Sequence, residues 1–336
     1  MEALKFRKAI LLVSLCLWTL TVFPQVKEDT IFQSDYLLIL NTYTSDAPWS
    51  NAIISPVLQW LNMERKTEVY VENMNMLMID DSLKLADLKT NIFAKYGKKK
   101  PKAVLLLGNS MMLFRNEMRE AWGDVPLILC GEESYMGPDD CYIKKYPVVP
   151  SEQVPLTNFT EEYNLTLLQT RVFIEENVKL LQHMIPGMKK IILIGDGRYV
   201  NQQLNTDMKQ LLQKAYPELE YDFYSAANMT TDSLLLKLNK VDSATTGVLL
   251  SSWFTRQVVA GNVQLQANSF QVISNSVTPI FALKNSLVVN SGMIGGFMYS
   301  QTDFNEQLLK TLSAVLSGVA PRTIPFYIPK GENIFN

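Results

Sequence analysis

The chain has 336 residues, 47% of them hydrophobic and 19% charged, with a net charge of −2 and a single histidine. That length exceeds one ordinary core and suits two, and the composition excludes both a disordered chain and one saturated with membrane spans. No basic excess points to nucleic acid; the one dense basic spot, Lys95 with Lys98, Lys99, Lys100 and Lys102, sits where a helix end meets a strand and reads as a solvated turn.

Residues 1–25 read as an export signal. Lys5, Arg7 and Lys8 precede an apolar run over 9–23 that is interrupted only by Ser14, Thr19 and Thr21. The run is short for a membrane span, which needs roughly 20 apolar residues. It is either a cleaved signal peptide or a retained anchor at the inner membrane, and no second run of spanning length is read before Asn336. The expected location is periplasmic or otherwise extracytoplasmic. Cys16 lies in the signal, and Leu15 sits where a lipoprotein cysteine would need a small residue. In an oxidising compartment, Cys130 and Cys141, which bracket the turn-rich GEESYMGPDD, are expected to form a disulfide. A loop that short gains roughly 2–3 kcal/mol from the bridge. Metal binding by two cysteines without a nearby histidine is not expected.

The first strand is expected over 36–40. A polar loop follows over 41–47, and Pro48 then opens a helix whose apolar face is Trp49, Ile53, Val57, Trp60 and Leu61. Proline suits the first helical position because its missing N–H would have no helical partner there. Further strands are expected at 68–71, 103–107, 127–129 and 142–149, and helices at 48–63, 82–96 and 110–121. Such alternation implies right-handed crossovers and a parallel sheet, and the continuous run AVLLLG suits a strand buried on both faces. The proline-bearing VPSEQVPLTNFT over 149–160 reads as a hinge or crossover.

A second alternating series begins with a long helix over 165–185, with Leu168, Val172, Val178 and Leu181 on its core face, stopping before Pro186-Gly187. A strand over 190–194 ends in GDGR, and a helix over 201–215 carries Leu204, Met208, Leu211 and Leu212 at helical spacing. Strands over 220–224, 247–250 and 279–283 continue the pattern, with helices between them. The glycine-rich GMIGGFMYS is β-like, and a helix carrying Phe304, Leu308, Leu312 and Val315 follows it. Gly318 and Pro321 end that helix, and IPFYIP reads as a final extended segment. One helix after two complete series suggests a return to the first half.

Taken in order, LLILNTYTSDAPW, IILIGDGR, GMIGGFMYS and the tail LSGVAPRTIPFYIP resemble a type I periplasmic binding protein. The resemblance is closer to solute-binding domains of the ABC-substrate-binding type, which also serve as extracytoplasmic sensors of bacterial histidine kinases, hybrid ones included. These patterns are loose singly and span nearly everything from Tyr36 onward. The resemblance implies an α/β chain of two Rossmann-like lobes, with parallel sheets flanked by helices and several hinge crossovers. Lobe 1 would hold roughly 35–150 plus 290–319, and lobe 2 roughly 160–285 plus 323–336.

It further implies a small polar ligand between the lobes, met by strand-end loops. Lobe 1 would offer Tyr43, Trp49, Asn109, Ser110 and Glu132 with its neighbour Glu133; lobe 2 would offer Asp196, Arg198, Ser252, Trp253 and Lys284. Aromatic rings supply stacking area while amides, hydroxyls and charges fix orientation. Plainer readings stand beside these: Trp49 packing inward with Trp60, Asp196 and Arg198 as a surface ion pair, and both glutamates merely solvated. Gly295 and Gly296 read as sites of tight backbone approach at a crossing rather than a phosphate cradle.

A sugar, an amino acid, a nucleoside and a small organic anion all remain open as ligands. The role expected is a sensor-type module for two-component signalling, working through a membrane sensor kinase or as a homodimer; a receptor delivering solute to an ABC permease is the alternative. Enzyme chemistry finds little footing. His183 is adequately explained as a helix-end cation, Ser251-Ser252 lacks the glycines of a nucleophile elbow, and the glycines at 195 and 197 lack the third of a dinucleotide fingerprint. Nothing in the sequence sets Glu132 or Glu133 at a glycosidase spacing from Asp196. No activity, metal or cofactor is therefore expected, and a flavodoxin-like nucleotide-binding enzyme stands as the rival class. Sequons at Asn158, Asn164 and Asn228 read more readily as chance than as glycosylation sites.

Overall fold

The run YLLILN forms strand β1 (Tyr36–Asn41), buried along its whole length because helices cover both faces of its sheet. The computed structural model describes residues 36–65, 67–259, 262–267, 269–285 and 292–336, so the export signal expected over 1–25, with Cys16, lies outside the described residues. Among the described residues, β1 joins β2 (Glu68–Asn73), β3 (Ala103–Leu107), β4 (Leu127–Gly131) and β5 (Leu165–Gln169) in a parallel sheet of order β2-β1-β3-β4-β5. A second parallel sheet has the order β11-β8-β6-β7, from β6 (Lys190–Gly195), β7 (Glu220–Ser225), β8 (Thr246–Leu250) and β11 (Phe281–Ala282). The molecule is α/β, with two lobes of parallel sheet flanked by helices.

Side-chain alternation distributes the core. In β1, Leu38 and Leu40 face α2 (Ser82–Tyr96) and α3 (Arg115–Trp122), while Leu37 and Ile39 face α1 (Pro48–Trp60) and the late helix α9 (Gln301–Leu316). The chain thus returns to lobe 1 at its end, and Phe304, Leu308 and Leu312 of α9 close the face that Ile53 and Val57 begin. Lobe 2 is built likewise: Ile191 and Leu193 pack on α5 (Ile174–Met184) and α6 (Tyr199–Ala215), and Ile192 and Ile194 pack on α7 (Thr231–Leu238). Each such leucine or isoleucine contributes roughly 1.5–3 kcal/mol when buried.

Several expectations are corrected. Leu165–Gln169 is a strand, the outer one of the first sheet, and the helix begins only at Ile174. Three leucines with Thr166 and Gln169 fit either period, and Asn164, in the left-handed region at φ 42, ends the single helical turn 160–163 just before them. The expected strand over 142–149 begins instead as helix α4 (Asp139–Lys144), with two acidic residues in its first turn. Between β8 and β11 the chain inserts an antiparallel pair, β9 (Phe254–Val259) and β10 (Asn262–Ala267), ahead of α8 (Ser269–Asn275). The Gly261-Asn262 dipeptide was the available hairpin signal.

Three segments cross between the sheets. Residues 170–173 leave β5 for α5, and β12 (Gly295–Tyr299) pairs antiparallel with β13 (Gly331–Phe335). Within IPFYIP, Tyr327 N–H donates to Leu167 O at 2.9 Å, and Gln169 N–H donates to Tyr327 O at 2.8 Å, tying the tail to β5. The crossings are pinned by Asn177 of α5, whose amide donates to Phe297 O at 2.6 Å and accepts from Phe297 N–H at 2.9 Å. A Cβ at position 296 would meet Ala282 O at 2.1 Å, so the third glycine of GMIGGFMYS permits close backbone approach, as expected.

Cys130 and Cys141 are both free and buried, against the expected disulfide. Cys130 ends β4 pointing into the α1/α9 core, whereas Cys141 packs with the α2/α3 core on the opposite face of the sheet. Their side chains diverge, and no bridge spans a sheet. Burial pushes the Cys130 thiol well above its ordinary range, which leaves it inert.

Candidate functional site

In each sheet the strand order reverses once, between β1 and β3 in lobe 1 and between β6 and β8 in lobe 2. At such a reversal the two following loops diverge and leave a crevice at the carboxyl ends of the strands. Tyr43 follows β1, Asn109 and Ser110 follow β3, Asp196 and Arg198 follow β6, and Ser251 and Ser252 follow β8. The two crevices face each other: the Arg198 guanidinium stands 5.3 Å from the Tyr43 ring centre across the gap and 4.1 Å from that of Phe254 on its own side.

Arg198 is held by a buried frame. Asp196, 1% exposed, accepts from Arg198 Nε at 2.8 Å and from its Nη2 at 2.9 Å. The same carboxylate accepts from Asn201 Nδ2 at 2.7 Å and Ser252 Oγ at 2.9 Å. Burial alone would raise the Asp196 carboxyl, but the Arg198 charge and these bonds hold it below its ordinary value. Burial likewise opposes the Arg198 charge, and Asp196 with Tyr43 more than restores it. Asp196 is therefore a positioning residue behind Arg198, not a ligand contact.

A second link crosses the gap. Lys284, just after β11, donates from Nζ to Glu132 Oε1 at 2.5 Å, with side chains only 11% and 10% exposed. Glu132 follows β4, and its carbonyl accepts from Gln169 Nε2 at 2.7 Å. Next to it, burial, then Asp207 of α6 and Glu132, push the Glu133 carboxyl up to about 8. Burial also raises the Tyr43 phenol, with Glu132 adding to it.

Two cavities of about 50 Å³ each flank the Tyr43–Arg198 contact. One is bounded by Asn109, Ser110, Glu133 and Tyr199; the other by Trp49, Ser251, Phe254 and Lys284. A third, of about 270 Å³, opens beside Glu132, Glu133, Arg171 and Asp207. Of the ten residues expected to meet a ligand, Tyr43, Trp49, Asn109, Ser110, Glu132, Arg198, Ser252 and Lys284 line these cavities. Trp49 is at once a core residue and an edge-on neighbour of Tyr43, their centroids 5.4 Å apart. Asn109 mainly braces its own lobe, donating to Glu133 O at 2.9 Å.

Trp253 is a correction: it is fully buried in the lobe 2 core, and its indole N–H donates to Thr231 Oγ1 at 3.0 Å. The chain alternates at the end of β8, so Ser252 faces the gap and Trp253 faces away. Sequence reasoning passed over Phe254, Tyr199 and Tyr142. Tyr199, the first residue of α6, inserts into the lobe 1 core and lies 4.6 Å from the Tyr142 ring centre; the only signal was an aromatic residue directly after GDGR. Among the described residues no cluster of ligating side chains suits a metal ion, and no helix is long and apolar enough to cross a membrane.

No family model and no curated protein matches the chain. Solved structures do. An ABC domain from Streptococcus pneumonia in complex with L-Trp is similar at 15% identity, covering 90% of this chain and 92% of that one with a TM-score of 0.58. A carbohydrate transporter solute-binding protein from Agrobacterium radiobacter, in complex with D-arabinose, shares 14% identity over 90% and 95% of the two chains at a TM-score of 0.51. The trehalose repressor of Escherichia coli is 10% identical over 90% and 100%, at 0.53. These likenesses establish the fold, that of the two-lobed type I periplasmic binding proteins and the regulators that share it.

Proposed function

We propose that this chain is an exported binding protein that closes two lobes over a polar small molecule. The observation that carries the reading is the opposition of two strand-order reversals, one per lobe, with Tyr43 and Arg198 meeting across the gap. A molecule held there touches both lobes only when they face each other, so its binding favours that arrangement. The neighbours with L-Trp and D-arabinose support the same use of the fold. Two carboxylates at the site are already engaged, Asp196 by Arg198, Asn201 and Ser252, and Glu132 by Lys284, which supports a binding role.

We read the role as a sensor-type module for two-component signalling, passing its lobe arrangement to a membrane kinase. Delivery of solute to an ABC permease is the second reading, favoured by the transporter proteins among the structural neighbours. A thermal-shift screen of the purified chain against sugars, amino acids, nucleosides and organic anions tests binding, since a selective ligand raises Tm with concentration. Arg198→Ala, which removes a cleft-facing cation, should abolish the shift; a hit unaffected by Arg198→Ala and Tyr43→Ala together would place the site elsewhere. Cell fractionation separates the roles: an anchored protein supports sensing, a freely diffusing periplasmic one supports transport.

A further inference from the structure

We propose that the ligand is a zwitterion of the free α-amino-acid type, its carboxylate taken by Lys284 of lobe 2 and its ammonium by Glu132 of lobe 1. This deepens the binding reading above and rests on it. The two side chains come from opposite lobes, from the ends of β11 and β4, and meet at 2.5 Å with little exposure to water. A molecule that reaches Lys284 and Glu132 together must part the two side chains, because the cavity of about 50 Å³ that Lys284 lines holds a water or two and no metabolite.

Separation leaves a buried ammonium and a buried carboxylate, and a lone buried charge is far costlier than a paired one. A neutral sugar offers hydroxyls to both but restores neither charge. A simple anion satisfies Lys284 and leaves Glu132 facing a like charge. A zwitterion replaces both partners at once, each end meeting its opposite. Arg198 lines the same cavity, but its charge is already paired with Asp196 through Nε and Nη2, so it bounds the site and Lys284 remains the cation that loses its partner.

Two further features fit. The Ser251 hydroxyl is 1% exposed, lines the same cavity as Lys284 and has no hydrogen-bond partner among the described residues, so a donor to a carboxylate oxygen stands ready. Rings of Tyr43, Trp49, Phe254 and Phe270, with Ala47 and Pro48, form the larger part of that wall, beside the polar Arg198, Ser252 and Ser269. The side chain of the amino acid is therefore apolar or aromatic.

The test uses the full chain and three probe sets: free L-amino acids; the same amino acids N-acetylated or as methyl esters; and sugars, nucleosides and simple carboxylates. Thermal shift finds hits and calorimetry measures them. A free amino acid with an apolar side chain should bind, and blocking either end should weaken it about 100-fold. Glu132→Gln should shrink the penalty of N-acetylation alone, and Lys284→Met that of esterification alone, a split that a general loss of packing does not produce. Should either single variant fail to fold around its lone charge, the double variant Glu132→Gln/Lys284→Met removes both charges together, and it should bind free and blocked forms equally.

A sugar, nucleoside or simple carboxylate that binds while no free amino acid does would overturn the zwitterion and leave the binding reading standing. An amino acid indifferent to blocking at both ends would do the same. Silence from all three sets would overturn the binding reading itself, and the zwitterion with it.

Discussion

Replacing Glu133 by glutamine should stabilise this protein at neutral and alkaline pH. The Glu133 carboxyl is pushed up to about 8, first by burial and then by Asp207 and Glu132, against the opposing pull of Tyr135 and Lys284. In the unfolded chain it titrates near 4.5. A group raised on folding lends its full stability below the unfolded value and loses it as pH rises through the folded one. Stability should therefore decline from about pH 4.5 to about pH 8 as this side chain is forced to ionise in place. At 1.36 kcal/mol per pH unit the gap has a ceiling of about 5 kcal/mol. Glu133 keeps some contact with solvent, and screening reduces the loss to about 2–3 kcal/mol. Asp207 is raised by burial too and adds to the trend with the same sign. Glutamine mimics the protonated form and can still accept from Tyr135. Urea unfolding followed by tryptophan fluorescence should show Glu133→Gln more stable than the parent by about 2–3 kcal/mol at pH 8.5, the difference shrinking to a few tenths at pH 5. Equal midpoints at pH 8.5, or a parent that gains on the variant as pH rises, would refute the argument that this carboxyl is held neutral.

Asn177→Ala should cost about 2–4 kcal/mol, because it orphans both the N–H and the carbonyl of Phe297 at the crossing; chemical denaturation measures it, and a cost below about 0.5 kcal/mol would deny the hinge its pin. Trp253→Phe should destabilise lobe 2 by about 1–3 kcal/mol through the lost bond to Thr231 while leaving ligand affinity unchanged within about twofold in calorimetry, as a core residue must. Native protein should show no reaction of Cys130 with a thiol reagent and no change of Tm with reductant, and both thiols should titrate after unfolding; an intact mass lower by two hydrogens would restore the disulfide.

The repeating βα units were legible because each strand was a short apolar run between polar loops, and the same loops pointed to the carboxyl ends of the strands, where the two crevices open. Tyr43, Arg198 and Lys284 could be named from position alone: a polar or aromatic residue at a strand's carboxyl end has few places to go but the crevice. Direction within a loop was not legible. Ser252 and Trp253 are neighbours in sequence, and only the pleat decides that one faces the gap and the other the core. The cysteines failed for the same reason, since eleven positions of sequence separation hide the fact that a sheet lies between them. Leu165–Gln169 escaped because three leucines with a threonine and a glutamine satisfy both periods, and what selects the strand is an open edge on β4 far back in the chain.

What a ligand must do to this protein follows from which contacts it displaces. On the binding proposed above, the Glu132–Lys284 pair and the Tyr43–Arg198 stack would lie in its path, and it would gain only the excess of its own contacts over theirs. The contacts of α6 with lobe 1 lie elsewhere: Tyr199 packs beside Tyr142, and Gln203 Oε1 accepts from the Val148 N–H at 2.9 Å. A ligand leaves these untouched, so they favour the facing arrangement whatever occupies the gap. Rotating lobe 2 away must instead draw Tyr199 out of the lobe 1 core, at roughly 1.5–3 kcal/mol for a side chain of that size. Opening is then resisted at α6 and closing is decided in the cleft, and because the resisting contact reaches into α4, any partner docked on that part of lobe 1 would feel the lobes part before it felt the ligand leave.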